Sequence, residues 1–282
     1  MYWMEINTDK MRMKQVSAGS TGYLWGINLN NKIAFADGSL VFNEVEPLPN
    51  EEVPKYVSAA TDGTVMAISE KGAVFRHNPY TGGWITLVKA YLTRLEVGGN
   101  SDVYGIGTGD RIYRYIGESS FYEGNDGGVW QDLSVGEDGT VICLGMDNKL
   151  YRLWYQYDRL RYHVIEHPAG VLFKAISVAS DHNILAVTQD DQILNYVGEN
   201  IFRENPKKIK TWTVDADHQV HWLIKPGLEG EIVCIDHDED GCGHLVVKDQ
   251  QGLHRLFKAV ENPEAEYEQP RRRLPKNLKG GL

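Results

Sequence analysis

Near the end of the chain, the run Asp236-His237-Asp238-Glu239-Asp240-Gly241-Cys242-Gly243-His244 sets three aspartates at alternate positions ahead of a glycine. Alternation puts the carboxylates of Asp236, Asp238 and Asp240 on one side of a tight loop, and Gly241 permits the sharp turn. Oxygen donors in this pattern suit a hard cation, so the expectation is Ca2+. The simpler alternative is an acidic β-turn with no ion. No paired ligand spacing supports zinc through His237, Cys242 and His244.

Carbohydrate recognition is a second candidate chemistry. It needs flat apolar rings to stack on sugar C–H faces, with polar neighbours to fix the hydroxyls. Trp25 with Asn28, Tyr80 with Trp84, Tyr104 and Trp222 sit near turns and are the candidate glycan contacts. The same aromatics, at alternating strand positions, also suit packing between sheets. Arg76, Arg114, Arg152 and Arg255 recur in register, and are expected to pair with acidic turns such as Asp62 and Asp138. Catalysis finds no support: there is no G-x-S-x-G elbow, no glycine-rich phosphate loop and no HExxH. The expectation is a protein that is not an enzyme.

The elements that would position these residues repeat along the chain. Units VSAGSTGYLWGIN, VSAATDGTVMAIS, LEVGGNSDVYGIG, LSVGEDGTVICLG, ISVASDHNILAVT and WTVDADHQVHWLI align on Leu24, Val65, Val103, Val141, Ile184 and Val220, at spacings of 41, 38, 38, 43 and 36. Each of the first five anchors is followed nine residues later by a second apolar start, at Ile33, Val74, Ile112, Leu150 and Ile193. Apolar runs joined by polar or glycine-bearing turns read as hairpins, with three or four strands per unit. No window has helical periodicity.

A four-stranded sheet of about 40 residues cannot bury both faces alone, whereas a radial array of such sheets can. The predicted fold is therefore all-β, a β-propeller of six blades closed by the N-terminal strand YWMEI. Seven blades is the alternative, because EIVCIDHDEDGCGHLVVKDQQGLHRLF also reads as a hairpin unit, anchored at Leu245. Residues 1–260 form one propeller domain and 261–282 a charged tail.

The chain of 282 residues carries a net charge of −10, which disfavours nucleic acid as a partner despite the basic tail at Arg271–Arg273. Three cysteines suit a reducing compartment and not a disulfide framework. No signal peptide and no membrane-spanning run is visible, so the expected location is cytoplasmic, or outside the cell by release without a signal peptide.

The pattern VSAG-x-x-G-x-LWGIN, followed by a polar turn and I-x-F or L-Y-R, resembles the tectonin repeat. Trp3, Trp84, Trp130 and Trp212 ahead of the repeat cores add to the likeness. The resemblance implies a β-propeller acting as a lectin or as a protein-interaction module, so the expected partner is a glycan or, alternatively, a protein. The setting IVCIDHDEDGCGHLVV is similar to the calcium loop of integrin-type propeller repeats. That likeness implies ligation by Asp236, Asp238 and Asp240, by the carbonyl of Cys242, and at His244, where that family has an aspartate.

Overall fold

The computed structural model describes residues 2–6, 11–20, 23–38, 41–99, 102–117, 120–124, 127–156, 159–165, 170–180, 183–191, 193–196, 222–223, 230–238 and 242–260. In chain order the strands are β1 (Tyr2–Ile6), β2 (Met13–Ala18), β3 (Leu24–Asn28), β4 (Ile33–Ala36) and β5 (Phe42–Glu44). Next come β6 (Pro54–Ala59), β7 (Val65–Ser69), β8 (Ala73–His77), β9 (Trp84–Lys89), β10 (Arg94–Val97), β11 (Val103–Ile106), β12 (Ile112–Tyr115) and β13 (Phe121–Glu123). They continue with β14 (Trp130–Val135), β15 (Val141–Gly145), β16 (Leu150–Gln156), β17 (Arg159–Val164), β18 (Phe173–Ser180), β19 (Asn183–Thr188), β20 (Ile193–Tyr196) and β21 (Trp222–Leu223). The last three are β22 (Glu231–His237), β23 (Gly243–Lys248) and β24 (His254–Val260).

These pair as six antiparallel four-stranded sheets: β2–β5, β6–β9, β10–β13, β14–β17, β18–β21, and β22-β23-β24-β1. Within each blade the strands are called A to D from the channel outward. The N-terminal strand β1 is strand D of blade six, in register from Tyr2 opposite Val260 to Ile6 opposite Leu256. The ring is thus closed by pairing the first strand to the last, and an edge is removed.

The repeat folds this way because both faces of each blade are apolar. In strand B, side chains alternate between the two neighbouring blades. Trp25 and Ile27 join Val57 and Phe75 of blade two, while Leu24 joins Val246 and Leu256 of blade six. Met66 and Ile68 face blade three, whereas Val65 and Ala67 face blade one. Six hydrophobic clusters result, one at each seam of the ring. Each fully buried large side chain in them is worth roughly 1.5–3 kcal/mol.

The A–B turns are built by local chemistry. Asp62 Oδ1 accepts from Thr64 N at 2.8 Å, and Asp138 Oδ1 from Thr140 N at 2.9 Å. The glycines between them, Gly63 and Gly139, have φ of 83° and 80°, which suits a residue without Cβ.

Six blades are present, but the sixth is not the unit read at Trp212–Ile224. Trp222 and Leu223 pair with Leu194 and Ile193 as the outermost strand of blade five. The rest of that unit, Val220 included, lies outside the described residues. Blade six is the unit around Leu245, the one that suggested a seventh blade. The tail 261–282 also lies outside the described residues, and among those described no helix is long and apolar enough to cross a membrane.

Candidate functional site

Strand A of each blade lines the central channel, and a hydrogen-bonded ring runs around it. Ser17 Oγ accepts from Ala59 N at 2.9 Å, Ser58 Oγ from Val97 N at 3.0 Å, and Ser134 Oγ from Val178 N at 3.0 Å. Asp236 closes the circle, with Oδ2 accepting from Ala18 N at 2.8 Å and Oδ1 from Ser177 Oγ at 3.1 Å. Neighbouring A strands share no ladder, so side chains carry the seams, with Gln15 also bridging to Val57 O at 2.8 Å and Cys234 to Val16 O at 3.3 Å. That is why V-S-A recurs in the sequence.

Unit three has Glu96 where units one, two, four and five have serine. Its Oε1 accepts from Tyr56 Oη at 2.6 Å and its Oε2 from Ser58 Oγ at 3.0 Å. Two residues before it, Arg94 holds Asp132 at 2.6 Å and lies 4.5 Å over the Tyr56 ring. The channel thus carries Glu96, Asp132 and Asp236 against one guanidinium. Burial, and then the charge of Asp236, push Glu96 up to about 8. Burial lifts Asp236 to about 6, opposed by the hydrogen bonds it accepts. His237 is driven down to about 3 by burial and by neighbouring His244, which itself falls to about 4.

At the A–B end the channel opens at a small pocket whose wall includes Ser17, Glu96, Ser134, Glu137, Asp236 and His237. Ser177, His237 and Asp236 meet beside it: the Ser177 hydroxyl lies 3.1 Å from Asp236 Oδ1 and 2.7 Å from His237 Nδ1, two acceptors within reach of one proton when His237 carries its hydrogen on Nε2.

The residues singled out in the sequence are dispersed. Trp25 is 8% exposed and packs at the seam of blades one and two, 4.8 Å from His77 and 6.2 Å from Trp84. Asn28 is buried, with Oδ1 accepting from Asn30 N at 3.0 Å and Lys32 N at 2.9 Å while Nδ2 donates to Glu44 at 2.9 Å. It organises the B–C hairpin. Asn28→Ala should therefore cost about 1 kcal/mol in urea unfolding; no change in the midpoint would contradict this role. Tyr104 is buried at the seam of blades three and four, under Arg114 at 5.7 Å. Trp84 is half-buried, with Nε1 donating to Glu46 O at 2.9 Å, and Tyr80 is almost wholly exposed on the C–D turn of blade two. Trp222 is in β21. Among the described side chains of this set, Trp25 and Trp84 come together.

The acidic run opens differently from a symmetric donor shell. The Asp236 carboxylate is committed to the channel, whereas Asp238 Oδ1 accepts from Cys242 N at 2.8 Å and its Oδ2 stands 3.6 Å from Lys258 Nζ. Half-buried Cys242 accepts from Asp238 N at 3.1 Å, and His244 is fully buried in β23. Asp240 lies outside the described residues. Among those described, no three His, Cys, Asp or Glu side chains gather around a common point.

Of the recurring arginines, Arg114 pairs with Asp102 at 3.1 Å and Arg255 with Asp249 at 3.6 Å, each within its own blade. Asp62 and Asp138 accept backbone hydrogen bonds within their own turns.

Solved structures with the same architecture include RRP9 WD40 repeats (10% identity, TM-score 0.60, covering 88% of this chain and 80% of that one) and YCF48 bound to D1 peptide (14%, 0.58, 89% and 78%). Virginiamycin B lyase from Staphylococcus aureus is also similar (13%, 0.56, 92% and 98%). At these identities the likeness defines the class, a β-propeller. The Tectonin domain model matches residues 2–155, more than half of the chain, and the protein belongs to the tectonin family. Comparison with curated proteins gives no match.

Proposed function

We propose that this tectonin propeller is a non-catalytic protein-interaction scaffold that docks its partner on the face bearing the B–C and D–A connections. The observation behind this reading is the distribution of exposed apolar side chains. Leu29, Val53, Tyr91, Val129, Met146, Leu172 and Leu253 are each 40–63% exposed, and all lie in connections on that face. They are spread around the ring among charged turns such as Lys71–Glu52 and Lys149–Asp147. Apolar positions set among polar ones are the anatomy of a protein interface.

A glycan is the second reading, favoured by the seam of blades one and two. There Tyr23, 47% exposed, stacks 6.0 Å from Phe35 beside the Trp25, His77 and Trp84 rings. The multivalent form of that reading needs the same aromatic shell at several seams. Strand-B residues equivalent to Trp25 are instead Met66, Tyr104, Ile142 and Leu185, all buried.

The test is affinity capture of a protein partner alongside a glycan array with and without Ca2+. Val129 and Met146 are neighbours, with Met146 N donating to Val129 O at 3.3 Å, so Val129→Glu/Met146→Glu places charge in one patch. The double variant should lose the partner at least about tenfold while Tyr80→Ala keeps it, and the array should stay silent. Array binding abolished by Trp84→Ala would favour the glycan. The same samples read calcium: a Ca2+-dependent rise in melting midpoint, removed by Asp238→Ala, would support an ion at the Asp236–His244 loop.

A further inference from the structure

We propose that the free edge of β17, on the rim of blade four, binds the segment Glu264–Glu268 of a second copy of this chain as an added strand. Each blade ends in an outermost strand, but the edges differ. β5 and β13 have three residues each, and the six-residue β9 slips register against β8 between Val74 and Phe75. β17 has six residues and pairs without a break, from Val164 opposite Tyr151 to Arg159 opposite Gln156. Its other side pairs with nothing among the described residues. Ile165 N donates to Leu150 O at 2.8 Å, so odd-numbered residues bond inward. The N–H and C=O groups of Leu160, Tyr162 and Val164 therefore point away from the sheet. A long, unbroken edge is a template for another strand.

The side chains decide which strand is accepted. Leu160 joins the cluster at the seam of blades three and four, and Tyr162 meets Trp130 there at 5.2 Å, so that side of the edge is apolar. The alternate residues Arg159, Arg161 and His163 stand on the side toward blade five, where Leu150 packs with Phe173. Arg159 and Arg161 are exposed, and no carboxylate pairs with either among the described residues. They turn away a second β17 or an apolar strand, which would set like charge or hydrocarbon opposite each guanidinium. They admit a strand with carboxylates at every second position and apolar residues between.

The chain carries that pattern in Glu264-Ala265-Glu266-Tyr267-Glu268, in the tail that follows β24. The spacing of the glutamates matches that of Arg159, Arg161 and His163, and Ala265 and Tyr267 suit the apolar side. The tail of the same molecule does not reach this edge. Blade five stands between β24 of blade six and β17 of blade four. Sheets packed face to face lie about 10 Å apart and the blades diverge toward the rim, so the two strands are separated by at least about 20 Å. Glu264 is four residues beyond Val260, a reach of about 14 Å at full extension. The contact is therefore made between copies, and it is heterologous: the tail of one lies on the rim of the next.

Analytical ultracentrifugation of the full chain tests this by charge exchange. The wild type should associate as its concentration rises toward about 1 mM, and less in high salt. Arg159→Glu/Arg161→Glu on the edge, and Glu264→Lys/Glu266→Lys/Glu268→Lys in the tail, should each weaken self-association about tenfold or more. An equimolar mixture of the two variants should associate again, because the altered tail of one then fits the altered edge of the other. A measurement that needs no variant is fluorescence anisotropy of labelled Pro-Glu-Ala-Glu-Tyr-Glu-Gln, the sequence of Pro263–Gln269: it should bind the wild type, and Pro-Gln-Ala-Gln-Tyr-Gln-Gln should not. The proposal is overturned if the wild type stays monomeric, if the folded edge variant associates unchanged, if the mixture does not recover association, or if both peptides bind equally. A chain that binds the acidic peptide yet stays monomeric would also overturn it, and would assign the edge to an acidic segment of a different protein.

Discussion

Arg94→Met is expected to lower the stability of the propeller by about 2–4 kcal/mol, read as a shifted urea midpoint. Arg94 is the cation within reach of Asp132, at 2.6 Å, and the Asp132 side chain is only 6% exposed. Methionine keeps much of the side-chain volume but leaves that carboxylate uncompensated beside Glu96. Removing one member of a fully buried pair typically costs 3–5 kcal/mol; the range here is lower because Arg94 keeps 31% of its side chain open to the channel. Adding Asp132→Asn to Arg94→Met should recover part of the loss, since the orphaned charge is then gone. A cost below about 0.5 kcal/mol for Arg94→Met would mean that water in the channel already screens the carboxylates.

The second large effect is on the pH dependence of stability. Glu96 titrates at about 8 in the folded chain against an ordinary 4.5. Between those values the folded state holds a proton that the unfolded state has released, so stability falls as pH rises through that window. Asp236, at about 6 against 3.8, acts in the same sense over a lower range. His237 and His244 oppose them, because imidazoles ordinarily titrating at 6.5 are held at about 3 and about 4. Their contribution is lost as pH drops below about 6.5.

The opposing pairs nearly cancel between about pH 4.5 and 6, which leaves Glu96 to act alone above 6.5. Tyr56, Arg94, Asp132 and Asp236 are the titratable groups acting on it. His77 and His163, also lowered by burial, add stability as pH rises to about 6.5, so the profile should peak near pH 6.5 and decline by about 1–2 kcal/mol toward pH 8. Glu96→Gln should flatten the decline. A wild-type profile that rises from pH 6.5 to 8 would contradict the placement of Glu96 beside Asp236.

The fold was largely legible because a blade is written in local signals. Alternating apolar residues on both faces and D-G turns such as Asp62-Gly63 mark the hairpins wherever they occur. The sixth unit was misplaced for a physical reason. A blade's outermost strand is held by ladder hydrogen bonds, so it need not follow closely in sequence. In blade five, Tyr196 ends β20 and Trp222 begins β21. That gap carries the anchor from Ile184 to Leu245 and makes WTVDADHQVHWLI resemble a new start.

The site was less legible. Trp25 and Tyr104 look like exposed platforms in a pattern that cannot distinguish a seam from a surface, because strand B is buried on both sides. Channel chemistry did leave a trace: Glu96 in the V-S-A position, and Arg94 and Asp132 at matching inner-strand positions of adjacent units. What pairs them is the curvature of the ring, which brings successive A strands side by side. The Asp236–His244 run was legible as acidic chemistry, but the assignment of Asp236 to the closure of blades one, five and six depends on contacts with Ala18 and Ser177, distant in the chain.

The most direct measurement of the scaffold reading is hydrogen–deuterium exchange of the propeller, free and with its captured protein partner. Protection should map to the connections that carry Leu29, Val53, Tyr91, Val129, Met146, Leu172 and Leu253, leaving the C–D turn at Tyr80 unchanged. Protection confined to the seam of Tyr23, His77 and Trp84, and reproduced by a glycan in place of the protein, would contradict it.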